Sequence, residues 1–597
     1  MNQDVLLDTM PDGTDFISWE RPAAFARTLH VDTAHPNAND GNPGTATAPF
    51  ASINAAAGIV QPGERVLVHP GVYREWVRPA HEGSGPEEMV HFEASESGEV
   101  VISASEVYAG VWLPSGGWRA GRAAPGTDSP ALWMAALPRN WFDGYNPFAT
   151  VNLVQVMEQW ESLIASRPEV QTPFFRRRGL VFQNGRRLSQ VHKLSDLHEQ
   201  DGAYWVEPDG LTVHLRPFGD VAPETQRFEF SVREHCFAPE TRYLGYISVA
   251  GFVMEHAADA FPVPQGGALS ASRGHHWIIE GNTVRQVNAV GIDIGLQSWF
   301  SEKAEISGHH IIRRNTIEAC GICGLAGAGA PENLLVEDNT FRDCCWQDVE
   351  LYFECAAIKF HLTRRALIRH NRIYDTNGGA GIWLDWDNRY SRVCRNLITG
   401  TRSMFGGVFI EASHTANLVD NNIILDTDGH GVYSHDSDRI TVAHNLIARS
   451  TKAAVFLTLG ATKRWVQGRG ATSRRHRVLN NIFTDNYTLV EFDNSDNHSD
   501  YNALGRDGGE GPFRIHRPEQ NLDLDAWREF QNCDTHSARV AVTVVHEPTA
   551  QSCTLTIDGA LSTCPLMPEA SVDYNGQLRA EDTVLPGPFA DGGSQKP

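Results

Sequence analysis

The chain has no uninterrupted apolar run of 18 residues and no basic start followed by an apolar core, so no membrane span and no secretion leader is expected in it. It is also short of positive charge. Fifty Lys and Arg stand against 73 Asp and Glu, a formal net charge of -23, which disfavours nucleic acid, anionic membrane and long polyanionic sugars as partners. A local basic run, "FFRRRG" at 174–179, is the exception, and a small neutral oligosaccharide suits this charge balance better. The ten cysteines are scattered, lack the paired CxxC spacing of a zinc site, and need form no disulfide framework in a chain of 597 residues. Vicinal Cys344 and Cys345 read as buried small apolar residues, and the protein is expected to be cytoplasmic.

What the sequence has in abundance is a short phrase, Asn followed one residue later by Ile, Val or Phe. It recurs at Asn282, Asn315, Asn339, Asn371, Asn396, Asn422, Asn445 and Asn481, at intervals of 33, 24, 32, 25, 26, 23 and 36 residues. A basic spacing of about 24 residues with occasional insertions, in segments rich in Val, Ile, Thr and Gly, fits a coil of short strands. Asn suits left-handed turn positions, so these side chains are expected to organise turns and not to do chemistry. The fold class predicted is all-β: a right-handed parallel β-helix with rungs about 4.8 Å apart.

Residues 1–97 read as an N-terminal cap and first rungs, with a short apolar helix over 50–59 closing the open end. Residues 98–235 come before the regular Asn repeat begins, hold many Trp and Arg residues, and alternate strands with turns, so an inserted β-sandwich-like domain is expected there, with a helix at 151–166. Residues 236–520 are the main coil, and 521–597 are further strands and an irregular tail.

Aligning the coil by its small residues stacks five phrases: "GICGL" from Gly321, "AIKFH" from Ala357, "GIWLD" from Gly381, "GVFIE" from Gly407 and "GVYSH" from Gly431. Side chains alternate along a strand, so Ile322/Gly324, Ile358/Phe360, Ile382/Leu384, Val408/Ile410 and Val432/Ser434 face the core. The other face carries Cys323/Leu325, Lys359/His361, Trp383/Asp385, Phe409/Glu411 and Tyr433/His435. Asp385 and Glu411, 26 residues apart, are thereby expected one rung apart, with carboxyl groups about 5 Å from each other. That matches the about 5 to 5.5 Å of a retaining glycosidase and not the wider gap that lets an inverting enzyme place a water. Two such neighbours cannot both ionise cheaply, so one becomes an acid while the other stays an anion, although spacing alone leaves open which is which. Lys359, His361, Trp383, Phe409 and His435 are candidate substrate contacts, joined by Glu354 just before the Lys359 strand, and Asp387 is the rival nucleophile. No His, Cys, Asp or Glu cluster demands a metal, so no cofactor is expected, although the architecture accommodates a structural calcium.

The run "ECAAIKFH", "GAGIWLDW" and "FGGVFIEASH" followed by "NLVDNNIIL", with the early "GNPGTATAPFASINAA" and the closing "VLPGPFAD", resembles glycoside hydrolase family 120. Those are β-xylosidases on a right-handed parallel β-helix interrupted by a β-sandwich domain. The resemblance implies retaining, exo-acting hydrolysis of xylo-oligosaccharides, with Asp385 as nucleophile and Glu411 as acid/base, and allows a homo-oligomer. Two other functions share such a face. A polysaccharide lyase would use Lys359 as base and calcium to neutralise a uronate, and a glycan-binding solenoid would use the aromatic row without cleaving anything.

Overall fold

In the computed structural model the described residues are 8–116, 120–121, 130–152, 176–259, 266–295, 307–329, 331–347, 355–460, 464–466, 468–509, 511–547, 552–558, 561–580 and 584–591. They wind into a coil whose turns each contribute strands to three long sheets of 13, 13 and 11 strands. Pairing along the coil is parallel and runs from each turn to the next, for example Leu367 to Arg392 to Leu418 in one sheet. Each strand is short because the chain must bend three times per turn, and left-handed residues such as Arg365, Tyr390 and Asp426 make the corners. Among the described residues no helix is long and apolar enough to cross a membrane.

The asparagines do organise the coil, but not as left-handed residues. The left-handed position is the one before each: Gly281, Arg314, Asp338, His370, Arg395, Asn421, His444, Asn480 and Tyr501 all have positive φ. That bend turns the following Asn inward, where its amide donates to the side-chain oxygen of the Asn one rung on, at 2.9 to 3.1 Å. Asn502, outside the sequence phrase, ends this ladder. Each amide thus satisfies corner backbone that no water reaches. Asn396, for instance, also donates to Ile368 and Cys394 carbonyls, while its oxygen accepts the Asn371 backbone N–H. Asn396→Ala is expected to destabilise the protein by about 3 kcal/mol, because it orphans several buried groups at once. Denaturant unfolding at constant m-value would measure this, and a change within error would contradict a structural role for the ladder.

Four consecutive strands of the third sheet carry the candidate residues, β1 (Ala356–His361), β2 (Ala380–Asp385), β3 (Arg402–Glu411) and β4 (Asp428–His435), and β5 (Ala453–Thr458) pairs next to them. Their inward column, Ile358, Ile382, Val408, Val432 and Val455, is fully buried and in register. The phrase at Gly321 is stacked differently from expectation. Leu325 pairs with Ile358 and Ala326 with Lys359, so the rung is shifted by three residues and Leu325 joins the core side. The repeated small residues of "GICGLAG" give that rung no distinct phase, and an odd slip exchanges the two faces.

The insertion starts later than 98. Val100–Ser103 pairs in the second long sheet, and the four- and five-stranded sheets of the insertion run from Ser105–Val107 to Phe228–Ser231. These sheets enclose their own aromatic core, with Tyr108, Phe148, Tyr204 and Phe230 buried. The basic run is tied inward: Arg176 donates to the Gln347 carbonyl on the coil at 2.7 Å, and Arg178 lies 3.8 Å from Glu234. The helix expected at 151–166 falls almost wholly outside the described residues.

At the N-terminal end Ile53–Ala57 forms the capping helix, with Ser52 accepting from the Ala55 N–H and Ile53, Ala56 and Ala57 packed on the first rungs. At the other end the coil runs past 520, since Ala538–Arg539 pairs with Ala503–Leu504. A second helix, Leu524–Gln531, closes it by stacking Trp527 on Phe513 at 5.1 Å. The single CxxC, Cys320 to Cys323, is buried, and all ten cysteines are free and buried.

Candidate active site

The pairing of Trp383 with Phe409 and Leu384 with Ile410, carried one residue further, sets Asp385 at the end of β2 beside Glu411 at the end of β3. His361 pairs with Asp385 on one side, and Glu411 with His435 on the other. One row across the sheet therefore reads His361, Asp385, Glu411, His435. The neighbouring row reads Lys359, Trp383, Phe409, Tyr433, Phe456.

The two carboxylates are each only 7% exposed, so they are not ordinary solvated surface charges. Their surroundings differ. Lys359 Nζ lies 2.9 Å from Asp385 Oδ2, and His361 Nδ1 lies 3.4 Å from the same oxygen. The Lys359 ammonium also sits 3.3 Å from the centre of the Trp383 ring, so a buried cation and an indole brace one face of Asp385. On Glu411, burial and then the charge of Asp385 push the carboxyl above its usual range, while His435 and Arg464 pull against them. Arg464 Nη1 contacts Glu411 Oε1, and His435 Nε2 lies 3.6 Å from that oxygen. Asp385 has the Lys359 ammonium at ion-pair distance, and Glu411 has a raised affinity for the proton even with Arg464 beside it. This is the environment in which two like groups take different protonation states.

Lys359 and His361 are 1% and 2% exposed, and they hold Asp385 instead of facing an open cleft. Trp383 and Phe409 are 1% and 0% exposed, with rings stacked at 4.9 Å, and Phe405 lies 4.6 Å from Phe409. Equivalent positions on stacked rungs bring ring on ring, so neither offers a free face to a sugar; they form the floor under the carboxylates. Asp387 sits in the turn after β2 with a left-handed backbone, in a 2.8 Å ion pair with Arg389. Glu354 lies outside the described residues.

Three residues at the site were not singled out from the sequence. Trp386, next to Asp385, is half-buried with φ of 52°, and the Arg464 guanidinium stands 5.8 Å above its ring. Trp386, and not Trp383, is the indole at the surface here, and "WLDW" was its only signal. Arg464 precedes the hairpin of Trp465–Val466 and Arg469–Gly470, an insertion that breaks the repeat. Asp436 follows β4 and is fully buried against His435. Among the described residues no group of three or more His, Cys, Asp or Glu side chains is arranged to hold a metal.

A family model described as "Right handed beta helix region" matches residues 265–468. No curated protein matches the chain. Among solved structures, the complex of XylC with xylose superposes with a TM-score of 0.69 at 21% identity, covering 95% of this chain and 99% of that one. The chain shares its fold with XylC. The likeness read from the sequence extends in this way to the right-handed parallel β-helix fold. More distant are a glycoside hydrolase (TM-score 0.43, 13% identity, 84% of this chain and 100% of that one) and the GH136 lacto-N-biosidase from Eubacterium ramulus (TM-score 0.39, 13% identity, 77% and 64%).

Proposed function

We propose that the protein is a retaining, exo-acting glycoside hydrolase that releases xylose from β-1,4-xylo-oligosaccharides. The observation that carries this is the pair Asp385 and Glu411 on adjacent rungs, one braced by Lys359 and the other raised in proton affinity. Glu411 gives its proton to the glycosidic oxygen as Asp385 attacks the anomeric carbon, and the leaving sugar departs from a glycosyl-enzyme ester. Glu411, now a carboxylate, takes a proton from water; the water oxygen attacks the same carbon, Asp385 leaves, and the anomeric configuration is retained. The fold shared with XylC, whose structure holds xylose, supports a neutral pentose as the substrate. A lyase would need Lys359 free to take a proton, whereas Lys359 is buried in its ion pair with Asp385.

A panel of aryl glycosides, with the first-formed anomer followed by NMR, tests the proposal. β-Xylose released first from an aryl β-xyloside supports it; α-xylose first, or unsaturated ultraviolet-absorbing sugar ends, would falsify it. The charge on Arg464 gives a further expectation. Arg464 favours the carboxylate form of Glu411, so Arg464→Gln raises the proton affinity of Glu411 and keeps the acid protonated to higher pH. The alkaline limb of the kcat/KM profile is expected to move upward, and a downward shift would contradict the acid role of Glu411.

A further inference from the structure

His435 and Asp436 make an arrangement that a two-carboxylate mechanism does not by itself require. Asp436 is fully buried just beyond β4, with a left-handed backbone at φ of 59°. Its Oδ2 lies 3.0 Å from His435 Nδ1, and its Oδ1 accepts the Gly460 N–H at 2.8 Å. A Cβ at 460 would come within 2.8 Å of Asp436 Oδ2, so the glycine lets backbone close over this carboxylate. Although burial works against ionisation, the hydrogen bond from His435 leads the influences that hold the Asp436 carboxyl below its usual range.

We propose that Asp436 is a positioning residue for acid–base catalysis, acting through His435 to fix which oxygen of Glu411 carries the proton. This rests on the hydrolase function proposed above. With Nδ1–H donating to Asp436, the imidazole ring is locked and turns Nε2 towards Glu411 Oε1. Arg464 reaches that same oxygen, and its Nε lies 3.7 Å from Asp436 Oδ2, so the two side chains at the acid/base share one buried anion as support. The charged and titratable groups around Glu411 are Asp385 on β2, His435 and Tyr433 on β4, and Arg464 from the hairpin segment. Arg464 donates to Oε1 and the His435 ring stands against it, so Oε2 is the oxygen that delivers the proton to the leaving group and later receives one from water. Asp436 touches neither sugar nor water in this scheme.

The test is leaving-group dependence. A sugar leaving group needs the proton that Glu411 supplies, whereas dinitrophenolate departs without it, so mispositioning of the acid slows only the former. In the full chain, Asp436→Asn is expected to lower kcat/KM for xylobiose by at least about tenfold, part of the 10²–10⁴ that a general acid contributes. The kcat/KM for dinitrophenyl β-xyloside, which reports formation of the glycosyl-enzyme and not its hydrolysis, is expected to stay close to wild type. Equal loss on both substrates, or no loss on either, overturns the proposal. Should Asp436→Asn fail to fold, Asp436→Ser breaks the same link, and the same outcomes apply. A wild-type chain inactive on every glycoside would remove the hydrolase function and this inference together; a wild type active on both substrates beside an Asp436→Asn variant without selective loss removes this inference alone.

Discussion

Asp385→Asn should lower hydrolysis of an aryl β-xyloside by several orders of magnitude while leaving the protein folded. Among the described residues this carboxylate alone is both buried against a lysine and one rung from a carboxyl of raised proton affinity. An amide of the same shape keeps the packing between His361 and Glu411 but cannot form the glycosyl ester. Asp385→Ala goes further, since it also withdraws the anion that lies 2.9 Å from a Lys359 ammonium at 1% exposure, and is expected to be the less stable of the two. Thermal unfolding beside kcat/KM separates the effects. The identity of the nucleophile can be read directly: a 2-fluoro xyloside that stalls at the ester should label the peptide containing Asp385. A label on Asp387 would assign the role to the residue that Arg389 now engages in the turn.

The sequence carried the pairing of these carboxylates because Gly381 and Gly407 open phrases with distinct phases, and the observed register joins Ile382 to Val408 as the phrases require. It misplaced the rung at Gly321, where small residues crowd and give the phrase no distinct phase. The Asn phrase disclosed the coil but not the geometry, since it is the residue before each Asn that bends and the Asn that bonds its neighbour. Aromatic residues beside Asp385 and Glu411 suggested a sugar platform. Stacking at 4.9 Å uses up the faces of Trp383 and Phe409, a consequence of rung spacing that a single strand does not reveal. Arg464 reaches Glu411 from 53 residues downstream, just ahead of an inserted hairpin, so no periodicity points to it. The closing helix did have a signal, Asp523 ahead of "LDAWREF", and its carboxylate caps the Ala526 N–H.

Glu411→Ala is expected to cost about 10²–10⁴ in turnover of substrates that need a proton, and much less in the first step for dinitrophenyl β-xyloside. With that good leaving group the glycosyl-enzyme still forms and then accumulates, because no base remains to activate water. Added azide should restore turnover. The variant vacates space beside Arg464 and His435, the side chains that address Glu411 Oε1, and a small anion entering there meets a guanidinium that has lost its partner carboxylate. Azide needs no base, attacks the anomeric carbon on the face that water would use, and should yield a β-xylosyl azide. An α product would mean single displacement and would exclude Asp385 as a covalent nucleophile. The alkaline limb assigned to Glu411 should also vanish in this variant, since no acid is left to titrate. If rescue and the β product appear while that limb persists, the limb belongs to another group, and His435 beside Asp436 is the titratable pair next in line.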